Sequence, residues 1–346
     1  MFLKIKKRVE KEIKKYVSDI NKSYRLNRLS FVLVNNIKEF ILREGKRVRP
    51  ILFCIGYLGF ARKSAAGLFR SAISLELLHD FMLIHDDIID KSDTRRGKPS
   101  MHVMLNRQIH KNKNLKFNGQ DMAIVIGDVI YALALDAFLS IKENPKRKEL
   151  ALKKLISAAL YTESGEFIEL LLGIKPIQKV TKNDIYKVYD YKTANYTFAS
   201  PLTMGATLAG ADKKQISKLL EYGMCLGRAF QIKDDIFGTF GELATTGKSN
   251  LTDLAEAKKT ILIWHAYNNS VSKDKKAIKE ILARGSAGRI ELKKIRGILL
   301  KSGSLHYAKN EIKRLLYKSE IILNFLAMKE GYRKTLQEFS RKILTV

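Results

Sequence analysis

The sequence predicts an all-α protein that forms a helical bundle. Apolar residues recur at spacings of three and four, as in Leu75, Leu78 and Met82, which places them on one face of a helix. Strand-like alternation of apolar and polar residues is scarce. Only five prolines occur and none follows position 201, so the second part of the chain can be helical, interrupted by glycines and polar turns.

Clusters of turn-forming residues divide these periodic segments into separate helices. At one boundary, Thr181 followed by Asp184 has the spacing of a capping box, which predicts a helix through 184–199. No repeat of fixed period and no linker rich in glycine and serine is present, so we expect a single domain over residues 1–346. The turn-forming clusters fall at 91–99, 106–120, 142–147, 173–184, 238–253, 284–288 and 301–304.

The chain is strongly basic, with a formal net charge of +29. Such a charge favours anionic partners, namely phosphorylated small molecules, acidic membrane surfaces or nucleic acid. The lysines are spread along the chain at helix-face spacing, so we expect a solvated basic surface and no nucleic-acid groove. Two cysteines, Cys54 and Cys225, lie in apolar stretches and are too few for a disulfide framework. They indicate packed thiols and a cytoplasmic protein.

The sequence predicts no membrane span and no secretory signal. The longest apolar stretch, 122–139, carries Asp128 and Asp136. The N-terminal segment predicts a basic amphipathic helix, with the apolar stripe Ile5, Val9, Ile13 and Val17. We expect this stripe to pack on the body of the protein; peripheral contact with anionic lipid is the alternative.

The segment 85–90, HDDIID, contains the first candidate metal site. On a helix, Asp86 and Asp90 are one turn apart on the same face, about 5–6 Å from each other. Two carboxylates at that distance repel by roughly 3 kcal/mol at an effective dielectric constant near 20. Paired hard oxygen ligands suit Mg²⁺, which would relieve the repulsion. The alternative is a solvated acidic helix end, but the apolar residues 81–84 lead directly into the acids and indicate the mouth of an apolar cavity.

A second acidic segment, 230–238 (FQIKDDIFG), has the same arrangement of an apolar helix that ends in paired aspartates. Its i+4 position is Gly238, so it offers fewer ligands. Two such helix ends facing each other would bind a polyanion through bridging metal ions. Basic residues that suit a diphosphate occur at Lys46 and Arg49, which are spaced to share a helix face, although a solvated basic turn would look the same. The pair Arg95 and Arg96 has the same ambiguity.

These motifs together resemble the trans-isoprenyl diphosphate synthases, the family of farnesyl, geranylgeranyl and longer polyprenyl diphosphate synthases. The resemblance runs in order over about residues 40–262. It includes GKRVRP from Gly45, ELLHDFMLIHDDIIDKSDTRRGKPSMH, Gly127-Asp128, Gly165-Glu166, the tetrapeptide YKTA from Tyr191, and LGRAFQIKDDIFG. The resemblance implies an all-α bundle around a central apolar cavity, a homodimer, and condensation of isopentenyl diphosphate with an allylic diphosphate.

The resemblance also implies a role for individual residues. The expected cofactor is Mg²⁺, three ions per active site, with Mn²⁺ as a substitute. The metal ligands would be Asp86, Asp87, Asp90, Asp234 and Asp235. Isopentenyl diphosphate would be bound by Lys46, Arg49, His79 and Arg96, and the allylic diphosphate by Arg95, Lys192, Gln231, Lys248 and Lys258. Lys192, Thr193 and Gln231 would act in catalysis, the last two by stabilising the departing cation.

Product length should depend on the residues before the first acidic segment. Phe81 lies five residues before Asp86, Met82 four, and Leu78 one turn below, so these side chains should line the cavity that holds the growing tail. In the family, an aromatic residue at this spacing accompanies short products, which implies geranylgeranyl diphosphate first and farnesyl diphosphate second. The alternative is that Phe81 packs in the bundle core.

The sequence departs from the family pattern at three positions: Gly238, where the second motif often has a third aspartate, Glu44 before Gly45, and Ala257 before Lys258. Two other interpretations stay open. A terpene cyclase of the same helical class would share the first acidic motif, but it would lack the Lys46 and Arg49 site. A non-catalytic partner subunit would be expected to have degraded acidic motifs.

Overall fold

The structure, a computed structural model, describes residues 1–110, 114–241, 257–284 and 288–344, and it confirms the predicted all-α class. The only strands among these residues form a two-residue hairpin, β1 (Thr94–Arg95) and β2 (Lys98–Pro99). The chain divides into two compact units, one of residues 1–155 and 201–211 and one of residues 156–200 and 212–346. The single domain expected from the sequence stays a prediction.

Eight helices begin among the described residues of the range 1–155. They are α1 (Phe2–Tyr24), α2 (Leu26–Leu29), α3 (Phe31–Ile41), α4 (Val48–Phe60), α5 (Leu68–Ile89), α6 (Met101–Ile109), α7 (Gly119–Leu139) and α8 (Pro145–Ile174). The central helix of the first unit is α5, which packs on α1, α4 and α7. It is apolar on most of its circumference, as expected for a helix covered on several sides. Ile5, Val9, Ile13 and Val17 of α1 are buried, which confirms that this stripe packs on the body.

Helix α7 is long and apolar enough to cross a membrane by length and composition alone, with a mean hydropathy of 2.0 and 44% of that window buried. Core helices have the same properties. Its inner side packs on α5 and α6. Asp136 accepts hydrogen bonds from the hydroxyls of Tyr16 (2.9 Å) and Tyr24 (2.7 Å), so this carboxylate is part of the packing of α1 on α7.

The remaining elements of the described residues are a 3₁₀ turn (Ile177–Lys179), α9 (Lys182–Val188), a π-helix (Tyr189–Ala199), α10 (Ser200–Ala209), α11 (Lys213–Phe240), α12 (Ile261–Asn269), α13 (Ser272–Ala283), α14 (Arg289–Lys301), α15 (Ser304–Asn324) and α16 (Glu330–Leu344). The capping box of Thr181 and Asp184 is confirmed at the start of α9. The helix predicted for 184–199 continues only to Val188 as an α-helix and then widens into the π-helix, a form often found at functional sites.

The π-helix packs closely on α11 because α11 has glycines at the contact. A methyl group at Gly223 would lie 2.5 Å from the Ala199 Cα, and one at Gly227 would lie 2.2 Å from the Ala194 Cα. Both distances are far below van der Waals contact. The two backbones can therefore approach only while these positions of α11 carry no side chain.

We expect Gly227→Ala to destabilise the protein by about 1–3 kcal/mol, because the added methyl group would force the two helices apart. The matched control is Gly297→Ala in α14, where a methyl group would meet no atom of the described residues within 4 Å. That change should stabilise the helix by up to about 1 kcal/mol. Urea unfolding of both variants measures the difference; equal stability of the two would contradict the close packing of the π-helix on α11.

Candidate active site

The first acidic cluster lies at the C-terminal end of α5. One oxygen of Asp86 and one of Asp90 lie within 4.8 Å of each other, and both residues are half-buried. The partial negative charge of a helix C-terminus adds to their repulsion, so the site favours a bound cation. Hard carboxylate oxygens that face partly open space fit Mg²⁺, which keeps several waters and phosphate oxygens in its coordination sphere.

Asp87, between these two residues, has a different environment. Its side chain is fully buried and bound to Arg95, whose Nε lies 2.7 Å from the Asp87 Oδ1. The Arg95 Nη2 also lies 3.3 Å from the Asp86 Oδ2. The geometry therefore gives Arg95 a further role, because it neutralises the buried carboxylate and orients Asp86.

Arg96 lies at the tip of the β-hairpin that follows α5. Arg96 and Gly97 both have positive φ, 55° and 72°, as a two-residue type I′ turn requires. The Arg96 Nη2 reaches back to the Oε1 of Glu76, at 3.4 Å, and to the Oδ1 of Asp80, at 3.7 Å. The turn therefore directs Arg96 towards the middle of α5.

The basic loop before α4 surrounds this same part of α5. Lys46 is exposed and precedes the helix, whereas Arg49 lies in its first turn, so the two do not share a helix face as their spacing predicted. Arg47, between them, is fully buried in a left-handed conformation. Its guanidinium group donates hydrogen bonds to Glu10 (2.9 Å) and Glu76 (2.6 Å). Arg47 thus fixes the loop that carries both expected substrate ligands.

His79 lies on the same face of α5, and burial together with the nearby Arg49 and Arg96 holds its pKa well below the usual range. It is therefore neutral at pH 7 and can take part in hydrogen bonds without adding positive charge. Asp80, its neighbour, is fully buried, and among the described residues neither of its oxygens accepts a hydrogen bond. Burial and the nearby Glu76 raise the pKa of Asp80 to about 8.

Glu76 and Asp80 were not identified from the sequence as site residues. Their spacing is the same i, i+4 that identified Asp86 and Asp90 on the same helix, so the signal was present in the sequence. The signal is hard to recognise, because these two acids lie within an apolar stretch of α5 and their arginine partners come from other parts of the chain. Helix α5 thus carries two acid pairs, nearly three turns apart.

The three residues expected to set chain length differ in burial. Leu78 and Met82 are buried, whereas Phe81 is half-buried. The Phe81 ring lies 4.6 Å from that of His85 and 5.2 Å from that of Tyr131 on α7, between ring centroids. Tyr131 was not identified from the sequence.

The packing of His85 accounts for the glycine of the Gly127-Asp128 motif of α7. A methyl group at Gly127 would lie 2.6 Å from the His85 Nε2, so only glycine leaves room for the imidazole. His85 thus packs between Phe81 and α7.

In the second unit, a hydrogen-bonded chain joins the π-helix to α11 and α12. The Thr193 hydroxyl donates to the Gln231 Oε1 (2.6 Å), and the Gln231 Nε2 donates to the Asp235 Oδ1 (3.0 Å). The Tyr189 hydroxyl donates to Asp235 and accepts from the Ile261 amide (3.0 Å). Burial and the Asp235 carboxylate raise the pKa of Tyr189 well above its usual range, so its hydroxyl keeps the proton.

Lys192 lies in the π-helix between two carboxylates of α8. Its ammonium group is paired with Glu166 and lies 2.5 Å from the Glu169 Oε2. A methyl group at Gly165 would lie 2.6 Å from the Lys192 backbone nitrogen. The Gly165-Glu166 motif therefore has a physical explanation: the glycine allows the π-helix to approach, and the glutamate binds the lysine.

The remaining predicted residues occupy varied positions. Asp234 is exposed on α11, whereas Asp235 is buried. Lys258 is half-buried, and the residue before it, Ala257, has a φ of 53°, which explains why glycine is common there in the family. Lys248 lies outside the described residues.

The model of the polyprenyl synthetase family matches residues 32–299 of the chain. This match covers most of the sequence, including every candidate residue above. The chain belongs to the polyprenyl synthetase family and is a prenyltransferase, as the sequence analysis predicted. The interpretation as a terpene cyclase is not favoured.

Curated relatives and solved structures agree with this assignment. The chain is 32% identical to a short chain isoprenyl diphosphate synthase of Methanocaldococcus jannaschii, over 88% of this chain and 84% of that protein. It is 30% identical to a geranylfarnesyl diphosphate synthase of Aeropyrum pernix, over 84% and 87%. Its fold matches geranylgeranyl pyrophosphate synthase from Corynebacterium glutamicum, complexed with isoprenyl diphosphate and magnesium, with a TM-score of 0.89, 25% identity and coverage of 99% and 98%.

Asp80 makes a testable contribution to stability. Its pKa rises from 3.8 to about 8 on folding, so the folded protein binds more protons between those values. Stability therefore falls as the pH rises from about 4 to about 8, where the buried carboxylate becomes charged. We expect Asp80→Asn to be as stable as the wild type near pH 4. Near pH 9 the variant should be more stable by a few kcal/mol, because each unit of pKa shift corresponds to about 1.4 kcal/mol.

Urea unfolding at both pH values measures this effect. The control is Asp93→Asn, which removes an exposed aspartate of the loop after α5 and should show no such pH-dependent gain. If the wild type and the Asp80→Asn variant differed in stability by the same amount at both pH values, Asp80 would already be charged at low pH.

Proposed function

We propose that this protein is a short-chain trans-prenyltransferase that condenses isopentenyl diphosphate with allylic diphosphates, and that its main product is geranylgeranyl diphosphate, with farnesyl diphosphate second. The observation that carries the proposal is the acid pair of Asp86 and Asp90 on the helix that also faces a cluster of arginines. Carboxylates that bind a metal ion and cations that bind an anion, on one element, suit a diphosphate substrate.

Asp86 and Asp90 would hold Mg²⁺ on the allylic diphosphate, with the Arg95-bound Asp87 beside them. Asp234 and Asp235 would hold the remaining metal, for three ions in all, and Mn²⁺ could replace Mg²⁺. When bound, these ions supply positive charge that stabilises the leaving diphosphate. Arg95, Lys192, Gln231, Lys248 and Lys258 would bind the allylic diphosphate, a role carried over from the family.

Isopentenyl diphosphate would be bound by Lys46, Arg49 and Arg96, with neutral His79 as a hydrogen-bonding group. A bidentate guanidinium suits a diphosphate better than a point charge does. Arg47 does not need to touch substrate, because its side chain is committed to Glu10 and Glu76. Its role is to position the residues on either side of it.

The reaction begins when the allylic C–O bond breaks and diphosphate leaves with the electron pair. The resulting cation needs nearby negative partial charge, which the Thr193 hydroxyl and the Gln231 carbonyl oxygen can provide. Asp235 holds the amide of Gln231 and thereby fixes the direction of its oxygen. The double bond of isopentenyl diphosphate then attacks the cation, and a proton passes to the released diphosphate.

A second copy of the chain is the proposed protein partner, and the interaction would be a homodimer. Exposed apolar residues form one stripe along the part of α8 in the second unit: Ile156, Leu160, Phe167, Leu171 and Ile174. Their spacings of three, four and seven place them on the same face. A monomer rarely exposes so continuous an apolar surface, and a copy of the same surface would cover it.

Reduced, buried Cys54 and Cys225 support a cytoplasmic protein.

Product analysis tests this function. With radiolabelled isopentenyl diphosphate and dimethylallyl, geranyl or farnesyl diphosphate as primer, we expect magnesium-dependent products that end mainly at geranylgeranyl diphosphate. Turnover of geranyl diphosphate alone would indicate a cyclase instead. No product from any primer would favour a non-catalytic subunit.

The control for this assay is Asp86→Ala. It should abolish product while the thermal melt stays near that of the wild type, because removal of one of two repelling carboxylates relieves repulsion. Turnover close to that of the wild type at saturating magnesium would exclude Asp86 as a metal ligand.

Chain length tests the role of Phe81 and its neighbour Tyr131. If this aromatic pair closes the cavity, Phe81→Ala should give longer products with activity retained, and Tyr131→Ala should act in the same direction. The matched control is Phe53→Ala, which truncates a fully buried ring of α4 and should cost roughly 3–5 kcal/mol without changing product length. An early melt of Phe81→Ala with unchanged product length would mean that Phe81 is only a core residue.

A further inference from the structure

The two faces of α1 differ completely in character. The inner face is buried and consists of Ile5, Val9, Ile13, Tyr16, Val17 and Ile20. On the opposite side, an arc of about 120° runs for about 27 Å, at 100° and 1.5 Å per residue. The residues on this arc are all exposed: Lys4, Lys7, Arg8, Lys11, Lys14, Lys15, Ser18 and Lys22. We call this surface the cationic stripe.

No acidic residue of α1 lies on the cationic stripe. The three acids of the helix, Glu10, Glu12 and Asp19, lie to either side of the arc and point towards other elements. Glu10 is paired with Arg47 at 2.9 Å, while Glu12 and Asp19 are paired with Arg70 at 2.7 Å and 2.6 Å. These carboxylates are thus committed to the body of the first unit, and the stripe presents a single sign of charge.

Large apolar side chains are exposed at both ends of α1. At its start, Leu3 is 72% exposed. After its end, Leu29 and Phe31 are 75% and 66% exposed, at the junction of α2 and α3. Arg25 and Arg28 precede Leu29 and Phe31 in sequence and are exposed as well. Isolated exposed apolar residues need no explanation, but these lie at the ends of a helix face that carries only positive charge.

We propose that the cationic stripe, with its exposed apolar residues, is a docking surface for an anionic lipid bilayer. Lysines near an anionic membrane each strengthen binding roughly fivefold. Leucine and phenylalanine insert at the boundary of headgroups and acyl chains, whereas the phosphate backbone of a nucleic acid offers them no apolar partner. The inner face of α1 stays packed in the bundle, so docking needs no unfolding of the helix.

This proposal is separate from the proposed function. Helix α1 precedes residues 32–299, the part of the chain that matches the family model, and no residue of the stripe belongs to the candidate active site. Binding to lipid can therefore be measured without substrates. The two ideas are chemically compatible, since a product with a long apolar tail and a charged head dissolves well in a bilayer.

The test is sedimentation of the full chain with vesicles of phosphatidylcholine that contain phosphatidylglycerol, compared with phosphatidylcholine alone. The stripe variant replaces Lys7, Lys11, Lys14 and Lys15 by Gln. The matched control replaces four exposed lysines of α14 and α15 by Gln, namely Lys293, Lys294, Lys309 and Lys313, for the same change in net charge. Glutamine has a helix propensity similar to that of lysine, and a thermal melt verifies that all proteins fold.

We expect the wild type to bind only the anionic vesicles, and the stripe variant, which lacks four lysines worth roughly fivefold each, to bind them about six-hundredfold more weakly. The control should lose no more than about threefold. A second variant, Leu29→Ser with Phe31→Ser, should weaken lipid binding severalfold at unchanged charge. Prenyl transfer in free solution should be unchanged in every variant, which separates this result from a failure of the proposed function.

Three results would overturn the proposal. The first is a wild type that does not bind anionic vesicles. The second is an equal loss in the stripe variant and the matched control, which would show that net charge alone governs binding. The third is a wild type that binds duplex DNA as tightly as it binds the vesicles, together with a Leu29 and Phe31 variant that binds DNA as tightly as the wild type does. That result would assign the stripe to nucleic acid.

Discussion

The buried guanidinium group of Arg47 is the contact on which the first half of the site depends. Its partners are Glu10 of α1 and Glu76 of α5, and its backbone is left-handed, a conformation that costs about 1 kcal/mol or more for a residue with a side chain. A buried arginine without these carboxylates would be strongly unfavourable. Helix α1, the loop before α4 and the middle of α5 are therefore held together by one charge cluster.

This cluster also explains the chemistry of the neighbouring residues. Glu76 is shared between Arg47 and Arg96, so the tip of the β-hairpin reaches the same point as the basic loop. Burial, together with the cations around His79, keeps the pKa of its imidazole low, so the ring is neutral. An anionic substrate would meet positive charge that is already held in place, and little reorganisation is needed when it binds.

The all-α class, the capping box at Thr181, the burial of one stripe of α1 and the family were predictable from sequence, because periodicity and motifs depend on local spacing. Other features depend on residues that are distant in the chain. Glu166 and Glu169 meet Lys192 only because Gly165 lets the π-helix approach α8, and Tyr131 meets Phe81 from a different helix. The predicted shared helix face of Lys46 and Arg49 was wrong, because Arg47 is left-handed and α4 begins only at Val48.

The π-helix has a consequence for how this region can change in length. Each of its turns holds more residues than an α-turn, so deletion of one residue between 189 and 199 would let the segment relax to an α-helix. The later side chains of the segment would then change their positions relative to α11. Ala194 and Ala199 would leave the two glycines that accommodate them, and Thr193 would leave Gln231. The segment can vary its outward residues, but it cannot gain or lose one without dismantling the contacts on its inner face.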